Sequence, residues 1–297
     1  MYPPLKRERL ERWIQQIHPN SRLLRPWRLR GGVSARVIAL EIRLADGRTT
    51  KMVLRQHGEA DRNRNPQIAA DEYQLLRLLR EAEIPIPSPF DVDPSTSSIL
   101  MEFVEGESGK ASTHPADFLW QLANHLARIH RVDIAKWGLS FLPAQEKRVA
   151  NTQPKEAGTS EEERIRRRLE KIGPLPSRNP PRLLHGDYWP GNTLWKDGRL
   201  IAIIDWEDAA QGDPLADVAN CRLELLWALG TDAMVAFTHH YRSIMAEIDF
   251  THLPYWELCA ALPPISKIST WKLDPATEQT MRKRLKQFVD RALIKTI

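Results

Sequence analysis

The chain has 297 residues, a formal net charge of +5 and two cysteines. That length supports a substantial core in one large domain or two lobes. Two cysteines cannot build a disulfide framework or a zinc-thiolate site, which fits a reducing cytoplasm. The opening residues, MYPPLKRERL, lack the apolar core of a signal peptide. Apolar runs such as Leu200 to Ile204 are far too short to cross a bilayer, so a cytoplasmic protein with no membrane partner is expected.

A basic balance raises nucleic acid as a partner, but the distribution of charge argues against it. Positive side chains gather in the first thirty residues and in the last helix, whereas residues 205–257 carry ten acids against only Arg222 and Arg242. Such asymmetry is read locally. An acidic wall beside a binding site favours a cationic ligand, and a solvated acidic helix face explains the same pattern equally well.

In chain order, Gly31-Gly32-Val33-Ser34 precedes a β-branched run, Val37-Ile38, and a hairpin turn at Asp46-Gly47. Paired glycines let backbone N–H groups approach a phosphate closely, and a serine hydroxyl adds a donor; glycine pairs also mark ordinary turns. The return strand is Lys51 to Arg55. A helix is expected from Pro66 to Glu81, with Ile68, Leu75, Leu76 and Leu79 forming an apolar stripe and Glu72 inside it. A carboxylate aimed into a core needs a cation. Arg55 is the natural partner, since guanidinium grips a carboxylate and a phosphate together. Next come a short strand, Ser98 to Met101, and a polar boundary, Glu105 to Gly109.

Phe118, Leu119, Leu122, Leu126 and Ile129 mark an amphipathic helix that begins near Pro115; His125 and His130 fit core or capping roles. Residues 152–163 are polar and read as a mobile connector, followed by a charged helix from Glu161 to Lys171.

The most informative stretch is LLHGDYWPGNTLWKDGRLIAIIDWE, Leu183 to Glu207. Asp187 is followed five residues later by Asn192, and a hairpin turning at Asp197-Gly198 delivers Asp205 at its far end. One acid placed to take a proton, with one amide and one acid placed to hold Mg²⁺, is what phosphoryl transfer from a nucleotide needs. The Asp187-to-Asn192 spacing equals that of a kinase catalytic loop. Asp213, Pro214 and Gly230 then frame a helix, and further helices follow through Phe237–Met245, Tyr255–Ala261 and Glu278–Ile294. The two cysteines, Cys221 and Cys259, read as small core side chains. Trp227, Trp256 and Trp271 suit cations or sugar rings, and packing accounts for them as well.

His185-Gly186-Asp187-x4-Asn192, the strand end Ile204-Asp205-Trp206-Glu207 and Gly212-Asp213-Pro214-x2-Asp217-Val218-Ala219 resemble the aminoglycoside phosphotransferase and choline kinase superfamily. The resemblance implies an α+β, two-lobed protein-kinase-like fold. A nucleotide-binding lobe with a small antiparallel sheet (1–104) would precede a mostly helical lobe (105–297) holding the catalytic loop, metal site and acceptor site. It implies Asp187 as catalytic base and Asn192 and Asp205 as Mg²⁺ ligands. Arg55, held by Glu72, and the Gly31-Gly32-Ser34 loop would contact the phosphates, and the backbone of Glu102 and Val104 would read the base. Asp217 would hold the catalytic-loop backbone, although on its own it is an acid at a helix start, favoured there by the dipole. His185 would order the loop. The expected activity is transfer of the γ-phosphoryl group of ATP or GTP to a hydroxyl of a small acceptor. An aminoglycoside is the leading acceptor; choline or ethanolamine, a sugar or homoserine are alternatives, as is a nucleotide-binding protein without catalysis.

Overall fold

The structure, a computed structural model, describes residues 6–29, 35–109, 115–145, 160–173 and 178–296. Gly31, Gly32 and Ser34 lie outside the described residues, as do residues 152–159 of the polar connector. The chain divides into two units, Met1–Gly106 with Ile201–Glu207, and Glu107–Leu200 with Asp208–Ile297. The first is built on a small antiparallel sheet and the second is mostly helical.

The basic opening segment turns out to be a helix, α1 (Arg7–Ile17). Leu10, Trp13, Ile14 and Ile17 recur at helical spacing and cover the sheet residues Leu23, Leu40, Ile42, Met52, Leu54 and Leu100, leaving most of the arginines outside. The sheet runs β1 (Arg22–Arg28), β2 (Ala35–Arg43), β3 (Thr49–His57), β5 (Ser98–Glu102) and β4 (Pro89–Asp93), in the spatial order β1-β2-β3-β5-β4. β2 and β3 pair from Ala35↔His57 to Arg43↔Thr49 around the turn containing Gly47. β3 is central, so Arg55 and His57 at its end are buried.

Two helices follow β3, α2 (Glu59–Arg64) and α3 (Ile68–Glu81). The break, and the later start of α3 than Pro66, lies at Asn65. This residue precedes a proline, is extended (φ −143°, ψ 103°), and accepts the Gln67 N–H on its side chain. The buried face of α3 carries Ile68, Ala69, Leu75, Leu76 and Leu79 together with Glu72.

In the second unit, α4 (Pro115–His130) buries Phe118, Leu122, Leu126 and Ile129. α5 (Ser160–Ile172) is less solvated than its charge suggests, because Glu162 and Ile165 are buried. β7 (Arg182–Leu184) pairs with β10 (Ala210–Gly212). β6 (Glu107–Ser108) pairs with β8 (Thr193–Lys196), which turns into β9 (Arg199–Ile203). Asp197 and Gly198 have φ of 51° and 74°, the two positive values that a type I′ turn requires. The remaining helices are α6 (Leu215–Leu229), α7 (Thr231–Ile244), α8 (Leu253–Lys267) and α9 (Pro275–Lys295). α6 packs against α7, α8 and α9, and α4 against α7. α8 has Pro263 and Pro264 inside it. Among the described residues no helix is long and apolar enough to cross a membrane.

Candidate active site

The loop between β7 and β8 is tied down by one carboxylate. Asp217, in the first turn of α6, accepts the His185 N–H on Oδ2 (2.7 Å) and the Gly186 N–H on Oδ1 (2.9 Å). His130 Nε2 lies 3.2 Å from the same Oδ2, and its Nδ1 lies 2.6 Å from the Tyr241 hydroxyl. With the tyrosine donating to Nδ1, the His130 Nε2 proton faces Asp217. His130 is thus a core histidine, and Asp217 does far more than satisfy a helix dipole. Gly186 is required for two reasons. Its φ is 85°, and a Cβ there would sit 1.9 Å from the Asp208 carbonyl oxygen.

This loop presents Asp187 between two amides. Asn192 Nδ2 donates to Asp187 Oδ2 (2.9 Å) and to its carbonyl (2.9 Å), while Asn220 Nδ2 donates to Oδ1 (3.2 Å). The Asp187 N–H reaches His185 Nδ1 at 3.3 Å, so His185 orders the turn from within. Burial, opposed by His185 and aided by the Asp208 charge, raises the Asp187 carboxyl above the ordinary aspartate value. Glu224, one helical turn beyond Asn220 on α6, is half-buried; burial and then the Asp187 charge push it up to about 8. Sequence reasoning assigned no role to Asn220 or Glu224. The signal was helical period: residues 217, 220 and 224 fall on one stripe of α6.

A cavity of about 230 Å³ lies beside this loop, lined by Gly186, Asp208, Asp217 and Asn220 on one side and by Trp256, Cys259, Ala260 and Pro263 of α8 on the other. Cys259, expected in the core, is therefore a cavity residue, because positions 256, 259, 260 and 263 share a helix face. Burial pushes its thiol up to about 12. Of the three downstream tryptophans only Trp256 lines the cavity; Trp227 and Trp271 pack edge-on with centroids 5.9 Å apart.

In the first unit, one guanidinium gathers three carboxylates. Arg55 Nε lies 3.4 Å from Glu72 Oε2, Nη1 hydrogen-bonds Asp205 and Nη2 hydrogen-bonds Glu207. Glu72 also lies 2.9 Å from His57 Nε2. Burial alone would raise Glu72, but Arg55 and His57 outweigh it and bring it down to about 2. Burial would likewise lower Arg55, and its carboxylates reverse that and hold it charged. Asp205 sits at φ 71°, a left-handed conformation that aspartate tolerates better than most residues.

The structure thus brings together Arg55, Glu72 and Asp205 in the first unit, and Asp187 and Asn192 in the second. The Asn192 amide nitrogen is committed to Asp187, which leaves Oδ1 as its acceptor. That oxygen in the second unit and the Asp205 carboxylate in the first are each hard donors of the kind that suits Mg²⁺. The Glu102 N–H donates to Ser88 O at 2.9 Å, so of its backbone groups only the carbonyl stays open to a base. The Val104 N–H has no protein acceptor among the described residues. Five of the ten acids in the stretch pair with arginines: Asp205 and Glu207 with Arg55, Glu247 with Arg182, Asp249 with Arg178, and Glu257 with Arg222. Asp208 and Glu224 are acids of that stretch whose electrostatics are linked to Asp187.

Residues 28–250 match the model of a phosphotransferase enzyme family. Among curated proteins, "Acyl-CoA dehydrogenase family member 10" of Mus musculus is 28% identical over 200 residues, covering 60% of this chain and 18% of that protein. "Acyl-CoA dehydrogenase family member 11" of Rattus norvegicus is 27% identical over 179 residues, covering 52% of this chain and 23% of that protein. The chain therefore spans less than a quarter of the length of these relatives. Among solved structures, the GDP complex of wild-type aminoglycoside 2'-phosphotransferase-IIIa aligns with a TM-score of 0.65 at 17% identity, covering 96% of this chain and 99% of that one. A choline/ethanolamine kinase family protein from Mesorhizobium loti aligns with a TM-score of 0.60 at 19% identity, covering 92% of each chain. These structural likenesses are likenesses of fold.

Proposed function

The chain belongs to the phosphotransferase enzyme family, and we propose that it transfers the γ-phosphoryl group of ATP or GTP to a hydroxyl of a small acceptor. The observation that carries this reading is Asp187, held between Asn192 and Asn220 on a loop whose backbone is fixed by Asp217. A carboxylate made more basic by its surroundings is a better proton acceptor near neutral pH. The acceptor O–H gives its proton to Asp187, its oxygen bonds the γ-phosphorus, and the bond from that phosphorus to the bridging oxygen breaks to release ADP or GDP. Arg55, kept charged and positioned by Glu72, offsets negative charge on the phosphates. The Glu102 carbonyl and the Val104 N–H read the base, and Gly31, Gly32 and Ser34 cover the phosphates. Mg²⁺, when held by Asn192 Oδ1 and the Asp205 carboxylate, supplies charge neutralisation to the phosphate oxygens.

Asp208 near Asp187, with Trp256 across the cavity, supports a cationic acceptor such as an aminoglycoside, or choline or ethanolamine. The curated relatives support a second acceptor class. They are named as acyl-CoA dehydrogenase family members, so hydroxylated acyl thioesters belong in the same screen as amines, sugars and homoserine. The test is ADP or GDP release across that panel by the parent protein and by Asp187→Asn. The parent should turn over at least one acceptor, and the variant should lose turnover while binding nucleotide. Near-normal turnover by the variant removes Asp187 as the base; no turnover of any acceptor by the parent favours a nucleotide-binding protein without catalysis.

A further inference from the structure

A second cavity, of about 360 Å³, opens in the helical unit where α6, α7, α8 and α9 meet. It shares no lining residue with the cavity beside the catalytic loop. α6 turns Arg222 and Leu226 to it, one helical turn apart and on a different face from Asp217 and Asn220. α7 borders it from Thr231 to Arg242, three turns or about 16 Å. The volume falls within the range of small-molecule sites, roughly 300–1,000 Å³.

The floor is apolar and electrically closed. Leu226, Met234 and Phe288 are buried, and Val235 stands at the lip, 51% exposed. Glu257 is the one acid in the described lining, and Arg222 holds it: Nε and Nη2 lie 2.8 Å and 2.7 Å from the same Oε1. Arg222 Nη1 donates to the Thr238 hydroxyl, which donates to Met234 O at 2.7 Å. The pair cancels its own charge and leaves none for a guest.

The rim is different. Arg242, Arg291 and Lys295 are exposed and border the cavity, and none has a carboxylate within ion-pair distance among the described residues. Arg242 lies over the Phe250 ring at 5.1 Å, a stacking that leaves the edge N–H groups of the guanidinium to donate. Elsewhere on α9, charges four apart are opposite: Glu278 with Arg282, and Lys286 with Asp290. Arg291 and Lys295, at the same spacing, are alike and repel. Helix dipoles favour cations in last turns, which accounts for Arg242 and Lys295 but not for Arg291, one turn earlier on the same cavity. Three positive charges around an apolar floor match one negative head on an apolar body.

We propose that this cavity binds a small amphipathic anion. Its alkyl or aryl body lies on Leu226, Met234, Phe288 and Val235, and its carboxylate or phosphate head meets Arg242, Arg291 and Lys295. Guanidinium forks suit either head, since both offer paired oxygens.

The full chain is titrated by calorimetry with octyl phosphate and with octanoate, below their micelle concentrations. Inorganic phosphate and octyl glucoside are the head-only and body-only controls. The expected result is one equivalent of at least one amphiphile, bound at least about tenfold tighter than either control. Arg291→Gln removes a charged donor and Val235→Asp sets a like charge at the lip, and each should weaken binding at least about tenfold. Arg282→Gln, on α9 but outside the lining, should leave affinity unchanged. These positions are exposed, and circular dichroism checks that each variant is folded; if Arg291→Gln fails that check, Val235→Asp decides. Binding of neither amphiphile, binding no tighter than a control, unchanged affinity in a folded Arg291→Gln or Val235→Asp, or equal weakening in Arg282→Gln overturns the site. The readout is binding, so it stands apart from whether any acceptor is phosphorylated.

Discussion

Replacing Asp217 tests the idea that a single carboxylate sets the geometry of the catalytic loop. In the parent it accepts two backbone N–H groups, from His185 and Gly186, and faces His130 Nε2, all in a buried setting. Asp217→Ala leaves both N–H groups without an acceptor. A buried donor left unpaired costs about 1–3 kcal/mol, so the two together cost about 4 kcal/mol, with the exposed face of His130 adding to that. Asp217→Asn keeps one acceptor oxygen and turns an NH₂ toward a donor, so about half that loss is expected. Urea unfolding followed by tryptophan fluorescence measures both, with the midpoint shifting at unchanged slope. Turnover should fall further than stability does, because Asp187 rides on the same backbone. A loss below about 1 kcal/mol in Asp217→Ala, with a full-length active loop, would refute the reasoning.

Glu224→Gln removes an acid whose native value is raised from 4.5 to about 8. Between those values the native state holds a proton that the unfolded chain does not, so this group's stabilisation is fully present below pH 4.5 and is lost as pH rises through about 8. The parent should therefore lose up to about 1.4 kcal/mol per pH unit in that window relative to the variant; parallel stability profiles would count against it. Gly186→Ala must displace the loop or the Asp208 carbonyl by about 1 Å to relieve the 1.9 Å approach, which should lower kcat about 100-fold, measured by coupled ADP release. Asp205→Ala should lose Mg²⁺-dependent nucleotide binding by calorimetry, and unchanged affinity would speak against its metal role.

Local features were the most legible in the sequence. The Asp197-Gly198 turn follows from the dihedrals that only such residues adopt easily, and the α3 stripe with Glu72 inside follows from helical period. The catalytic segment could be read because its groups lie close together in sequence. What lay hidden was long-range or masked by charge. Helix α1 was obscured because its five charged residues outnumber its four apolar anchors. Glu207 and Asp205 both meet Arg55 some 150 positions away, and nothing local in either segment marks that meeting. Arginine pairing of the acidic stretch was equally invisible, since Arg178 and Arg182 lie upstream of the acids they meet.

The two prolines inside α8 have an effect on the neighbouring cavity. A proline offers no amide hydrogen to the carbonyl four residues earlier, so Pro263 and Pro264 deprive Cys259 and Ala260 of their usual in-helix donors. Both of those residues border the pocket beside Gly186 and Asp208. That wall consequently accepts hydrogens and offers few, so a guest rich in hydroxyl or ammonium hydrogens is matched by it, whereas one presenting only ether or ketone oxygens must bring water along.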